Sequence, residues 1–427
     1  MYRPKFMKAS FIPPAFDLPF AWTLDLSFPF IAKLLFNLDS IQIHKDDQHL
    51  ISGLKNKRLL YLSNYPTNLE PAIAYYVANE MGSRFHFMAS RSLFNLGFGV
   101  IGELIKRVGA FSIITGSADR DAIKMARKIL SEPAGKLVLY PEGIMSGEND
   151  NLASFLPGVA QIAFGGLEDA LKKDPSAELI VQPAFVKYLI SGSKESILRE
   201  IENSLQRIER KLRLFPGGRT ILRRFLTIGR VLLEETEFEL GVPKSEIEGK
   251  DFDYRLGRAR HTALNQAGNI LNIKFKDTDH AIDKIRQLLA VLDHLDTDFQ
   301  FAKEKGLTPQ NIRRARQLVD TAYTFIITKP KNLIQFPSAE RLMEWIGSFE
   351  KHVFGKSGDR ARKAEVLLAP SFSLNEYLKT YQSNKREGIS HLMTDIRNSM
   401  ETLVERGRNL SEPIVPPYSV GLDLHIG

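Results

Sequence analysis

The sequence predicts an α/β fold, a mostly parallel sheet flanked by helices, with an all-helical insertion before its last strand. Three observations carry this. Residues 39–190 alternate short apolar runs with helix-period segments, the pattern of a layered fold with a parallel sheet. Residues 191–361 lose almost all strand signal and keep a helical period. Residues 362–371 then return to strand alternation, with Ala364, Val366 and Leu368 set against Lys363, Glu365 and Leu367.

Residues 1–38 form an apolar N-terminal segment. Its start is basic, but Pro13 and Pro14 interrupt the stretch after it and no small-residue cleavage site stands out, so it does not read as a signal peptide. Residues 18–38 are the most apolar stretch of the chain, yet Asp25, Pro29 and Lys33 make them a poor spanning helix. Two readings stand. In one, residues 31–38 lie in a headgroup region with Phe20, Trp22 and Phe28 as interfacial side chains; in the other the segment is a helix packed on the core.

Strands are predicted at 40–44, 58–63, 84–88, 110–114, 136–140 and 179–185, and helices at 70–80, 93–108, 119–130 and 158–173. The strand at 136–140 runs into Pro141, Glu142 and Gly143, and loops at the carboxyl ends of such strands hold ligands. The insertion predicts helices at 195–214, 218–240, 251–271, 278–295, 311–328 and 338–354. From Arg199 to Arg230 nine basic residues stand against three acidic ones, a pattern suited either to an anionic bilayer or to a solvated helix face. A helix from Leu374 succeeds the last strand, with Ser373 as its expected N-cap and Glu376 at its third position. Residues 411–427, with Pro413, Pro416 and Pro417, read as an extended tail.

Composition narrows the function classes. At 43% hydrophobic and 25% charged, the 427 residues are those of a globular protein large enough for two or three domains. The absence of cysteine excludes disulfides, thiol nucleophiles and thiolate metal sites. A net charge of +8 favours nucleic acid, anionic membrane or acidic ligands, and the lack of a zinc-finger, RNP or Arg/Lys-rich tail argues against nucleic acid.

Two short segments are the most informative: Asn64, Tyr65, Pro66 and Thr67 with Glu70 and Pro71 at a strand-to-helix turn, and Pro141, Glu142 and Gly143 after a later strand. The pair resembles the glycerolipid acyltransferases of the lysophosphatidate acyltransferase type, whose first motif is Asn-His with Asp further on and whose third is Phe-Pro-Glu-Gly-Thr-Arg. The resemblance implies an acyltransferase-type α/β domain split into residues 39–190 and 362–410, with residues 191–361 as a helical insertion domain. It further implies acyl transfer to a lysophospholipid hydroxyl. Acyl-CoA or acyl-carrier-protein thioester would be the co-substrate, without a bound cofactor or metal. The place implied is cytoplasmic, peripheral to the inner face of the membrane. Its partners would be membrane lipid, lysophospholipid and acyl thioester; no nucleic acid and no oligomeric state are implied.

That chemistry needs a base to take the hydroxyl proton, and a His held by a carboxylate serves because its pKa lies near neutrality. Here Tyr65 stands at the His position and Glu70 at the Asp position. An unperturbed phenol, with a pKa near ~10, is a poor base at neutral pH. Tyr65 and Glu70 are the catalytic candidates, and Asn64 fits the motif. In the second motif Thr115 replaces an expected Arg while Asp119 and Arg120 are present. In the third, Glu142 and Gly143 are kept and Ile144-Met145 replaces Thr-Arg. Asn149, Asp150 and residues 155–163 fit one subgroup, and Pro183 fits the fourth motif, which shapes the acyl pocket. The substrate-binding candidates are therefore Asn64, Thr115, Arg120, Glu142, Gly143, Ile144, Met145 and Pro183. Thr and Met cannot replace the charge-assisted phosphate bonds of Arg. Arg91, Lys106, Arg107 and Arg120 are the available substitutes, or ordinary surface charges.

Other signals are bland. His86 reads as a core His on a buried strand, with relocated base as the sharper alternative. The remaining His residues have no metal-ligand spacing, and Ser63 and Ser146 lack a nucleophile elbow. Gly97, Gly99 and Gly102 read as helix packing. Three readings result: an acyltransferase-fold protein that binds lipid without the usual chemistry, an acyltransferase using Glu70 or His86 as its base, and a helical interaction protein on an α/β scaffold.

Overall fold

The computed structural model describes residues 11–114, 119–297, 299–327 and 329–417. Thr115, the first ten residues and the end of the tail, 418–427, lie outside the described residues.

Helix α1 (Leu18–Phe36) starts where the Asp17 carboxylate accepts from the Phe20 N–H, and it ends at Asn37 in the left-handed region. Strands β1 (Leu38–Ile43) and β2 (Arg58–Ser63), helix α2 (Glu70–Glu80) and strand β3 (His86–Ser90) come next. A 3-10 turn over Arg91–Gly99 leads into α3 (Val100–Arg107) and β4 (Ala110–Ile113). Then come α4 (Arg120–Ser131), β5 (Lys136–Leu139), α5 (Gly158–Lys173) and β6 (Leu179–Ile190).

Between β6 and the next strand every described element is helical: α6 (Lys194–Leu212), α7 (Ile221–Glu239), α8 (Lys244–Ile247), α9 (Phe252–Ile270), α10 (Ala281–Thr297), α11 (Phe299–Glu304), α12 (Pro309–Ile327), α13 (Pro330–Gln335) and α14 (Ala339–Phe354). The chain closes with β7 (Arg362–Leu368), β8 (Phe372–Ser373), α15 (Leu378–Ser383) and α16 (Lys385–Arg408).

The sheet order is β1-β7-β6-β2-β5-β3-β4, with β8 on β6. All pairings are parallel except β6 with β7 and β8, so the mostly parallel sheet flanked by helices is the one the periodicity predicts. One apolar cluster joins the sheet to α4, α5 and α16, and another joins it to α1 and α2. The insertion has two cores of its own, one around α9, α10 and α12 and one around α6, α7 and α14.

Several boundaries differ from the sequence expectation for physical reasons. The strand expected at 84–88 lies at His86–Ser90, because Arg84 is held outside the sheet by Asp25 at 2.5 Å. The helix expected at 93–108 is broken, since Gly97, Phe98 and Gly99 all have positive φ. The strand expected at 179–185 continues to Ile190, paired to β7 up to Arg362. Ser373 makes no side-chain cap because it belongs to β8, and Asn384 caps α16 instead. Phe28 is buried on the inner side of α1, which removes it from the interfacial set; Trp22 is 59% exposed. In the basic stretch, Arg224 is buried between Glu202 and Glu209 rather than offered to a bilayer. The tail is anchored at Ile414, whose N–H donates to the Pro337 carbonyl at 3.0 Å.

Candidate functional site

β6 runs on where β2 stops at Ser63, leaving backbone groups of β6 without a strand beside them. Buried backbone N–H and C=O groups require partners. Two buried Asn side chains supply them. The Asn64 amide donates to Val186 O at 3.0 Å and its oxygen accepts from Val186 N at 2.7 Å. Asn149 accepts from Tyr188 N at 2.8 Å and donates to Tyr188 O at 2.5 Å. Asn64 is therefore a brace that fixes the start of the turn carrying Tyr65.

The two motif segments do meet. The Tyr65 N–H donates to Glu142 Oε1 at 2.8 Å, and the Ala153 N–H donates to Glu142 Oε2 at 2.6 Å. Ser146 N and Gly147 N close the loop by donating to the carbonyls of Tyr65, at 2.7 Å, and Pro66, at 3.1 Å. Glu142 thus clamps the β2–α2 turn to the loop after β5. Burial pushes its carboxyl up to about 7, although the Ala153 and Tyr65 N–H groups and the Arg397 charge pull the other way. Gly143 turns the loop with φ 69°, and a Cβ there would meet the Leu156 side chain at 2.3 Å.

The Tyr65 ring lies on Tyr140, with 4.6 Å between centroids and planes 18° apart. Burial, and after it the Glu70 charge, pushes its phenol up to about 12. Glu70 is buried and already engaged: it accepts from the Tyr188 hydroxyl at 2.6 Å, the Thr67 hydroxyl at 2.9 Å and the Thr67 N–H at 3.2 Å. Burial raises its carboxyl, and those hydrogen bonds pull it back down. Its partner is thus Tyr188, on the part of β6 beyond the expected strand end.

Ile144 and Met145 face the insertion. Ile144 is buried in the apolar core of α9, α10 and α12. The Tyr323 hydroxyl of α12 donates to the Met145 carbonyl. Arg286 of α10 donates to the Glu142 carbonyl at 2.8 Å and to the Ser154 hydroxyl at 3.2 Å. The insertion is therefore seated on the loop that carries the third motif. Arg286 is a residue that sequence reasoning missed; it comes from a segment with no motif, and only its place on one face of a predicted helix hinted at it.

The other candidates are scattered. Pro183 is buried in β6 opposite Leu62, two residues before Asn64. Arg120 is exposed in the first turn of α4, and Thr115 lies outside the described residues. Lys106 pairs with Glu103 at 2.7 Å, and Arg107 lies over the Phe20 ring. Both end α3 just before β4 begins, at the edge of the sheet opposite Tyr65. His86 opens β3 at that same far edge, its Nδ1 3.3 Å from Lys136 O and its ring against Phe16. Burial lowers it to about 4, and its place at the start of β3 sets it away from Tyr65 and Glu142. Among the described residues no group of three His, Cys, Asp or Glu side chains is arranged to hold a metal ion.

Residues 41–183 match the family described as Acyltransferase. The matched stretch contains both motif segments and ends at Pro183; α6 to α16 lie beyond it. It supports the acyltransferase family for this part of the chain. No curated protein matches the chain.

Proposed function

We propose that this chain keeps an acyltransferase scaffold as a binding site for an acyl chain or lysophospholipid and lacks the usual proton transfer. Residues 39–190 and 362–410 form the lipid-binding unit in this reading, residues 191–361 form a cover over it, and residues 411–427 form a terminal arm. The single observation that carries it is the state of Tyr65. With its phenol near 12, only about one molecule in 10⁵ is ionised at pH 7. Glu70 does not stand in, because its oxygens are spent on Tyr188 and Thr67. Ile144 and Met145, where a phosphate-binding Arg belongs to the motif, hold the insertion instead. The protein would act at the cytoplasmic face of a membrane, with acyl-CoA or acyl-carrier-protein thioester as a ligand rather than a consumed substrate.

The test is acyl transfer from long-chain thioesters to a panel of lysolipids, read by mass spectrometry, beside native mass spectrometry for bound lipid. The native chain is expected to bind lysolipid and transfer nothing. Tyr65→His is expected to lift transfer above that background, since a general base contributes about 10²–10⁴-fold. Native transfer that Glu70→Ala abolishes would overturn the reading in favour of a rebuilt enzyme.

A further inference from the structure

Two apolar faces outside the site are uncovered, and they lie on the same side of the sheet. Helix α1 buries Phe28 and Ala32 in a cluster that also holds Phe94, Ile105 and Val108 from the turn and helix of residues 91–107 and the residue after them. Its inner face is also fixed by Asp25, bound to Arg84, Asn79 and the Tyr75 hydroxyl. Its outer face shows Trp22, Leu26, Phe30 and Leu34 to solvent, Leu26 at 88% exposure.

The second face is that of residues 96–104, where Leu96, Phe98, Val100, Ile101 and Leu104 are exposed. Phe98 is its extreme: φ is 56°, its neighbours Gly97 and Gly99 are at 59° and 89°, and the ring is fully exposed. A non-glycine residue is strained in that region, and strain held where a side chain gains no contact points to function. Gly102 pins α3 under this tip, because a Cβ there would lie 2.3 Å from Phe94 O. The two faces are sewn together where Ala15 N donates to Lys106 O at 3.1 Å and Asp17 N to Arg107 O at 3.0 Å.

The charges around them are mostly positive. Lys33, Lys106 and Arg107 flank the faces, and Arg3, Lys5 and Lys8 precede α1 in the sequence. Of the acids here, Asp17 caps α1, Asp25 is neutralised by Arg84, Glu103 is shared by Lys106 and Arg107, and Asp39 lies 3.8 Å from Lys33, so the positive surplus comes from the second cation on Glu103 and from residues 3–8.

We propose that α1 and residues 91–107 together form a docking face for an anionic lipid bilayer, with Phe98 as its inserted wedge. α1 is the one helix among the described residues that is long and apolar enough to cross a membrane. Its inner face stays on the protein, so it lies in the headgroup plane instead, apolar side down. The turn springs from β3, whose carboxyl end is at the edge that holds Tyr65 and Glu142, so the bilayer reaches the protein beside the candidate site. Cations around an apolar face with an exposed Trp favour this occupant over a second copy of the chain.

The experiment is flotation of the full chain with phosphatidylcholine vesicles, with and without phosphatidylglycerol. Binding is expected with the anionic vesicles and is weaker without them. Phe98→Asp and, separately, Leu26→Asp are expected to lower binding by about tenfold or more while far-ultraviolet dichroism is unchanged, the effect of withholding one large apolar side chain from the interface. In Trp345→Phe, Trp22 is the sole Trp, and its emission is expected to shift to the blue on anionic vesicles. Absent flotation with an unshifted Trp22 overturns the proposal. So does a dimer that Phe98→Asp dissolves while vesicles bind neither form, since the face would then belong to a second copy. The docking proposal does not depend on whether the site transfers acyl groups, and neither measurement reads transfer.

Discussion

Replacing Glu142 by Gln isolates the carboxyl that clamps the two motif segments. Glu142 is fully buried and raised from an ordinary 4.5 to about 7, chiefly by burial. A carboxyl raised on folding contributes most to stability below its unfolded value and loses that contribution as pH rises through its folded value. The loss therefore spans about pH 4.5 to 7. A difference of 2.5 pKa units corresponds to about 3 kcal/mol in all, of which about 2.5 kcal/mol falls between pH 5 and pH 8. Gln cannot titrate, and its amide oxygen can serve only one of the Tyr65 and Ala153 N–H groups. It should destabilise at pH 5, where the native carboxyl is protonated and bears no desolvation cost of charge. The gap between the two proteins should narrow, or reverse, by about 2.5 kcal/mol on going to pH 8. Urea unfolding of both proteins at half-unit pH steps measures this, and the comparison cancels the other raised carboxyls. A gap that is flat with pH, or that widens as pH rises, would refute the burial argument for Glu142.

Two further perturbations test how the insertion and the sheet are joined. Ile144→Ala should cost about 2–5 kcal/mol, because the side chain fills the core of α9, α10 and α12. Hydrogen exchange should then rise in α10 and α12 more than in β2 and β5; uniform acceleration would mean that Ile144 does not seat the insertion. Lys187→Met should cost about 3–5 kcal/mol by leaving Asp150 buried with Arg341 at 3.5 Å as its remaining cation. Adding Asp150→Asn should recover part of that in a thermal melt, and a second loss of equal size would show that the two charges do not act as a pair.

The layers of the fold were legible because alternation and helical period are local properties. β2, α2 and α5 fall where the pattern puts them. The break before α3 was less legible: residues 93–108 have an apolar period fit for one helix, and the left-handed backbone over Gly97, Phe98 and Gly99 interrupts it. Motif spacing also brings Tyr65 to Glu142, through a backbone N–H that any residue but proline would supply at position 65. What stayed hidden is non-local. Glu70 finds Tyr188, 118 residues on, and Arg286 reaches the Glu142 carbonyl from 144 residues on. Neither pairing leaves a trace in periodicity, since each depends on how far β6 extends and which face of α10 docks.

This non-local geometry changes what the departures from the motif mean. Read one by one, Tyr65, Ile144 and Met145 are three losses of catalytic equipment. In the fold, Ile144 and Met145 are contacts of a single docking event: Ile144 enters the insertion core and the Met145 carbonyl receives the Tyr323 hydroxyl. The Tyr65 charge state would be felt by the same Tyr323, which burial, then Glu142 and then Tyr65 push upward. The motif's Thr at position 144 would bring an unpaired hydroxyl into that apolar core and leave part of the Ile volume unfilled. Restoring the motif residues one at a time therefore works against the insertion at position 144 but not at position 65, where the ring only stacks on Tyr140. Tyr65→His should be tolerated and Ile144→Thr should loosen the seating of α10 and α12. If thermal melts ranked those two variants the other way, the insertion would not be what the altered motif is built to hold.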